Sequence, residues 1–183
     1  MSKKESKIAD LRVKDNWLDQ EDFELIKEIF TNTETVWYLT PGISDADSTN
    51  GIKNPLNNYS FNHVVYMNMR PTSTAFDRIF KILETALKED EGYQFKTITR
   101  IKCNLYPRTE TIQEHPFHVD TNTFPMRGAL LYLNTNDGYT GFFDGSEVDS
   151  IENRVVYFDA NERHFSTNCT NAQFRLTLNI NYV

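Results

Sequence analysis

The chain has 183 residues, 39% of them hydrophobic and 25% charged, with a formal net charge of −7. That length suits one domain around a single core, and the acidic balance argues against a general surface for nucleic-acid phosphates. No apolar run approaches the roughly 18 residues of a membrane helix, so no membrane partner is expected.

Residues 1–7 lead into no apolar stretch of the signal-peptide kind, and the two cysteines, Cys103 and Cys169, are too few for a disulfide framework. Both features point to a reducing, cytoplasmic setting. Residues 18–30 (LDQEDFELIKEIF) place apolar side chains at helical spacing behind an acidic start, which predicts a helix. Residues 40–58 are polar and rich in turn formers, which predicts a long loop beside the substrate cleft. Residues 59–69 (YSFNHVVYMNM) alternate partly, as a strand does. Between residues 73 and 87, Phe76, Ile79, Phe80, Ile82, Leu83 and Leu87 form the apolar face of a second helix.

From Phe95 onward the pattern changes. The segments TITRIKCNLY, FHVDT, RGALLYLNT, TGFFDG, RVVYFDA, RHFSTN and FRLTLNINYV are short and rich in β-branched or aromatic residues. Turn signals separate them, among them Asn136-Asp137-Gly138 and Asp144-Gly145-Ser146. Seven or eight short strands in about ninety residues predict an α+β fold with a double-stranded β-helix, or jelly-roll, core. The preceding helices would cover one outer face. Residues 1–183 are read as a single domain, with 1–94 a mixed helical and substrate-loop region and 95–183 the core that carries the site.

The chemistry starts at His118-Val119-Asp120. On a strand, residues two apart share a face, so this imidazole and carboxylate can aim at one point. His164 lies 44 positions beyond Asp120 and follows an apolar strand; Arg175 comes 11 positions later. A distal histidine would complete a 2-His-1-carboxylate set, the arrangement that holds non-haem Fe(II) with positions left open. Taken alone, the triplet fits two polar residues on an exposed strand equally well. In the last strand Arg175, Thr177 and Asn179 share one face, while Phe174, Leu176, Leu178 and Ile180 take the other. A guanidinium in an otherwise apolar strand calls for an anion, and Arg175 with the Thr177 hydroxyl suits a dicarboxylate. An exposed arginine on an edge strand is the competing reading.

Together these residues resemble the Fe(II)- and 2-oxoglutarate-dependent dioxygenases, most closely the prolyl 4-hydroxylase-like branch. The resemblance runs from Asn104 to Asp120 (NLYPRTETIQEHPFHVD), through Arg127 to Gly145, and from Arg154 to Ile180. It implies that His118, Asp120 and His164 bind iron and form the catalytic centre, and that Arg175 and Thr177 take the distal carboxylate of 2-oxoglutarate. It also implies that Tyr132, Tyr106 and Asn104 contact the co-substrate, Asn104 from the same strand face as Tyr106. The Asn-x-Tyr pairing is closer to the nucleic-acid demethylase branch. Two departures concern the substrate: Gly138-Tyr139 stands where the family has paired glycines, and Arg175 replaces a lysine used by some collagen-type members.

The implied reaction uses O2 and decarboxylates 2-oxoglutarate to succinate and CO2 while hydroxylating a C–H bond. The implied substrate is a prolyl or other residue in a peptide or protein, followed by a free amino acid or small metabolite, with a modified nucleobase third because the chain is acidic. Asp120 implies hydroxylation rather than halogenation. A zinc hydrolase could use the same three ligands, and a cupin-like binding module could use none catalytically. His115, His63 and Arg127 are read as a loop residue near the site mouth, a surface or cleft residue, and an exposed strand-start cation. Oligomeric state is not legible.

Overall fold

A computed structural model describes residues 11–43, 55–122 and 125–183. Helix α1 (Gln20–Thr31) starts where the Asp19 carboxylate accepts a hydrogen bond from the Asp22 amide at 2.9 Å, satisfying a donor that the first turn leaves unpaired. Its buried face is Phe23, Ile26, Ile29 and Phe30. Helix α2 (Phe76–Glu91) buries Ile79, Leu83 and Leu87, and Gly92, at a φ of 56°, ends it.

The strands are β1 (Arg12–Lys14), β2 (Tyr38–Pro41), β3 (Tyr59–Met67), β4 (Arg70–Pro71), β5 (Ile98–Pro107), β6 (Arg127–Tyr132), β7 (Tyr139–Phe142), β8 (Glu147–Asp149), β9 (Val155–Asp159), β10 (His164–Ser166) and β11 (Phe174–Tyr182). They form two antiparallel sheets. The larger runs β1-β9-β6-β11-β5-β3-β2, with β4 on β3; the smaller runs β10-β7-β8.

Strand alternation divides the larger sheet into two unlike faces. Ile101, Cys103, Leu131, Leu176, Leu178 and Ile180 point to one side and join the buried residues of α1 and α2 in the main core. On the other side Leu130, Tyr132, Val156 and Phe158 meet Phe142 and Val148 of the smaller sheet. The helices therefore cover one outer face of a β-sandwich, the expected α+β jelly-roll architecture. Burial of both faces also fixes register, since a one-residue slip would turn Arg175 into the apolar core.

Several expectations need correction. Thr40 and Pro41, read as loop, belong to β2 and pair with Ser60 and Tyr59. Pro55–Asn57 form a 3-10 turn, and residues 44–54 of the expected loop lie outside the described residues. The segment FHVDT, read as a strand, makes only an isolated bridge between His118 and His164. Strands β1 and β8 were not anticipated. Each is three residues long, too short for alternation to register. Among the described residues no helix is long and apolar enough to cross a membrane.

Candidate metal centre and anion pocket

The polar half of the inner face is set by pairing. Across β5 and β11, Arg175 stands opposite Tyr106, Thr177 opposite Asn104, Asn179 opposite Lys102 and Asn181 opposite Arg100. Side chains of directly opposed residues project to the same face. All of these except Asn181 line one cavity between the sheets, together with His118, Asp120 and His164.

His118 and His164 come together through the main chain. Each amide donates to the other residue's carbonyl at 2.9 Å. This hydrogen-bonded antiparallel pair holds the two ring centroids 4.5 Å apart. Asp120 is held by its own amide on the Ala160 carbonyl at 2.9 Å. One ligand atom from each of His118, Asp120 and His164 lies within 4.8 Å of the others.

The outer contacts fix which atoms are presented. Nδ1 of His164 bonds the Glu162 carbonyl at 2.9 Å, and Nδ1 of His118 reaches the Pro116 carbonyl at 3.4 Å. A carbonyl only accepts, so in the neutral ring each contact puts the proton on Nδ1 and leaves Nε2 as the lone-pair donor. Asp120 Oδ2 accepts from the amides of Asn179 at 3.0 Å and Asn181 at 2.9 Å. Among the described residues Oδ1 has the Asn179 amide at 3.3 Å and the Arg100 guanidinium at 3.6 Å.

Burial, with the neighbouring His164, lowers the His118 pKa to about 4, so this imidazole is neutral at physiological pH. Burial alone would raise Asp120, but His164, Arg100 and the Asn181 hydrogen bond outweigh it and hold the carboxyl at about 2. Lone-pair nitrogens beside an ionised carboxylate are the donor set that suits Fe(II). The residues fit the metal.

Arg175 is the largest side chain with no solvent exposure. Its Nε donates to the Ser150 hydroxyl at 2.6 Å, one terminal nitrogen to the Thr167 carbonyl at 3.1 Å, and the other to the Thr140 hydroxyl at 2.9 Å. The rings of Tyr106 and Tyr132 flank it, with centroids 5.5 and 5.4 Å from its central carbon. Among the described residues no carboxylate pairs with it, so a full positive charge faces the cavity with only neutral partners. Gly138 makes room for it: a Cβ there would lie 2.6 Å from Arg175 Cδ and 2.3 Å from the Asn168 carbonyl oxygen.

Of the residues picked from sequence, His118, Asp120, His164, Arg175, Thr177, Tyr106 and Asn104 all line the cavity. Tyr132 stands behind that wall, its hydroxyl 2.9 Å from Thr140 Oγ1 and 3.2 Å from the Val148 carbonyl. It contacts Arg175 and Thr140 rather than the open space. His63 is outside the site: it points to the helix side, bonding the Val36 carbonyl at 2.8 Å and the Ser73 hydroxyl at 2.7 Å. His115 is buried, stacked on Tyr106 with centroids 5.2 Å apart and Nδ1 3.0 Å from Ser166 Oγ. Arg127 is half-buried and engages Tyr182.

Sequence reading missed Ser150 and Thr140, which hold Arg175, and the roles of Asn179 and Asn181, which hold Asp120. It also missed Arg100 and Lys102, two cations on the cavity face of β5. Their parity with Asn104 and Tyr106, at steps of two along one strand, was the available signal. Burial, followed by the nearby Arg100, lowers the Lys102 ammonium to about 8.

No protein-family model matches the chain. No curated protein matches it by sequence either. Solved structures do match by shape. A prolyl-4-hydroxylase from Pseudomonas putida superposes with a TM-score of 0.62 at 16% identity, over 95% of this chain and 92% of that one. A Trichoplax adhaerens prolyl hydroxylase, in complex with a hypoxia-inducible-factor oxygen-degradation-domain peptide fragment, gives 0.63 at 14% identity over 94% and 82%. A Burkholderia pseudomallei oxidoreductase of the 2OG-Fe(II) oxygenase family gives 0.62 at 11% identity over 94% and 84%. The chain has the fold of these oxygenases over nearly its whole length.

Proposed function

We propose that the chain is an Fe(II)- and 2-oxoglutarate-dependent dioxygenase that hydroxylates a C–H bond, acting as one domain in the cytoplasm. One observation carries this reading. The three ligand atoms within 4.8 Å of one another share a cavity with a fully buried arginine that has no carboxylate partner among the described residues. A metal hydrolase has no use for such an arginine, whereas a keto-diacid co-substrate needs both features.

His118, Asp120 and His164 would hold the iron; Arg175, with the Thr177 hydroxyl, would take the distal carboxylate of 2-oxoglutarate. When bound, iron and 2-oxoglutarate supply the oxidising power, with O2 consumed and succinate and CO2 released. The chain's own residues provide placement. The carbonyls of Pro116 and Glu162 fix the histidine tautomers, Asn179 and Asn181 steady the carboxylate, and Ser150, Thr140 and the Thr167 carbonyl aim the guanidinium. Tyr106 lines the co-substrate space, while Tyr132 braces Thr140 from behind.

The substrate class favoured is a prolyl or other residue in a peptide, by likeness to the Trichoplax neighbour, whose structure contains a peptide fragment. The direct test is an anaerobic titration of folded protein with Fe(II) and then 2-oxoglutarate, followed by visible absorption. The expected result is a weak charge-transfer band that saturates at one equivalent of each. Iron-loaded protein that shows no band would overturn the assignment.

A further inference from the structure

We infer that the substrate presents a carboxylate to Lys102, with Arg100 beside it, next to the C–H bond that is oxidised. This names the substrate chemistry of the proposed oxygenase site and rests on that reading.

Lys102 and Arg100 lie two residues apart on β5, on the cavity face, and Lys102 stands opposite Asn179, which holds Asp120. Among the described residues the Lys102 ammonium has no hydrogen bond or close ion pair; Arg100 repels it and Asp120 attracts it from a distance. Arg100 is partly engaged: one terminal nitrogen meets Asn181 Oδ1 at 3.0 Å and Asp120 Oδ1 at 3.6 Å, while its buried Nε has no partner. A half-buried ammonium beside a guanidinium is unfavourable in itself, since two like charges share a poorly solvated space. Neutral side chains at both positions would relieve the repulsion.

Charge balance points to what relieves it. The cavity is lined by three cations, Arg100, Lys102 and Arg175, and one carboxylate, Asp120. A divalent metal and a dicarboxylate co-substrate cancel one another, so loading the site leaves the positive excess unchanged. Arg175 would be matched by the distal carboxylate of the co-substrate, which leaves Lys102 and Arg100 to share the single Asp120 carboxylate. A carboxylate on the substrate supplies one of the two missing negative charges. Arg100 and Asp120 also line a second depression, walled in part by Met67, Met69 and Met126, which suits the hydrocarbon part of the same molecule. The carboxylate could be the free carboxyl end of the substrate or the side chain of an acidic residue next to the hydroxylated one.

The test uses matched probes: N-acetyl amino acids, their carboxamides, and N-acetyl dipeptide amides carrying an internal aspartate or asparagine. Saturation-transfer NMR on the metal-free protein reports binding, and succinate release from the loaded protein reports coupling. Carboxylate probes are expected to bind at least about tenfold more tightly than amide counterparts, the scale of one charge-assisted contact. Preference for the acetyl amino acids or for the aspartyl dipeptides identifies which source of carboxylate is used. K102M, which keeps side-chain bulk, is expected to erase the preference, and K102R to retain it. The melting temperature of K102M should match or exceed that of the parent, because an unpaired charge is removed. Equal binding of acids and amides, binding of neither, or an unchanged preference in K102M would each overturn the inference. So would a parallel loss of 2-oxoglutarate affinity in K102M, which would place Lys102 in the co-substrate site. Failure of the oxygenase reading is separate: it would appear as a missing charge-transfer band in the parent protein, whatever the NMR shows.

Discussion

His118 and His164 exchange both of their backbone hydrogen bonds, amide to carbonyl, at 2.9 Å each. Two side chains 46 positions apart in the chain are thereby set opposite each other by main-chain atoms alone, and each Nδ1 is engaged by a carbonyl two residues earlier in the chain. The pairing does not depend on either imidazole, so ligand and scaffold can be separated by mutation.

Replacing His164 with Ala should therefore remove metal binding without unfolding the chain. The expected outcome is loss of Fe(II) affinity by more than about 100-fold, beyond what outer-contact changes produce, with the far-ultraviolet spectrum retained. Equilibrium metal titration of the parent and H164A proteins checks this. Turnover of 2-oxoglutarate to succinate should fall to background in the same variant.

Arg175 makes the opposite kind of contribution. Its burial among neutral partners is unfavourable until an anion arrives, so R175M should fold at least as well as the parent in the absence of ligand. The variant should bind 2-oxoglutarate more weakly by about 10- to 200-fold, the range for a charge-assisted pair. Thermal melts with and without 2-oxoglutarate separate the two effects: the ligand should raise the melting temperature of the parent and leave that of R175M almost unmoved.

The legible and illegible parts of this site have physical causes. Strand β11 is readable because its two faces meet different surroundings, Leu176, Leu178 and Ile180 in the main core and Arg175, Thr177 and Asn179 in the cavity. The same alternation made the H-x-D spacing meaningful. What alternation cannot show is who stands across the sheet. Thr140 reaches Arg175 from β7 of the smaller sheet and Ser150 from the turn after β8, at 35 and 25 positions' separation, and Thr140 takes the Tyr132 hydroxyl that the sequence alone directs to the cavity. His63 shows the reverse case. It sits on a strand whose inner residues do line the cavity, but it stands opposite Cys103 in register and so faces the helices.

His115 offers a pH-dependent readout of this packing. The ring stacks on Tyr106, bonds Ser166, and lies near the Arg175 cation and the His118 imidazole; burial first, then Arg175, lowers its pKa to about 3. An ordinary histidine titrates near 6.5 when the chain is unfolded. Between those values the unfolded chain binds a proton that the folded one refuses, so stability falls as pH drops from about 6.5 toward 3. The expected slope from this residue is about 1.4 kcal/mol per pH unit through the middle of that window. Denaturant unfolding of metal-free parent and H115N proteins at pH 7, 5.5 and 4.5 measures it. The variant should show a slope smaller by one proton, and identical slopes would mean that His115 is protonated in the folded state.

The turn before β7 gives a test of how tightly the anion pocket is built. A methyl group on Gly138 would meet a backbone carbonyl at 2.3 Å and Arg175 Cδ at 2.6 Å. The carbonyl belongs to Asn168, whose side chain accepts from the Gln113 amide at 2.9 Å, so it has little freedom to retreat. The arginine is confined by three hydrogen bonds and two aromatic rings. Something must shift, and the guanidinium is the more mobile of the two. G138A is therefore expected to lose about 1–3 kcal/mol of stability, the range for overpacking a tight site. It should also weaken 2-oxoglutarate binding while leaving Fe(II) affinity within about twofold of the parent, because the metal ligands belong to other segments. Paired titrations, metal first and co-substrate second, would show the split. A loss of iron affinity equal to the loss of co-substrate affinity would mean that the turn supports the whole site rather than its cationic end.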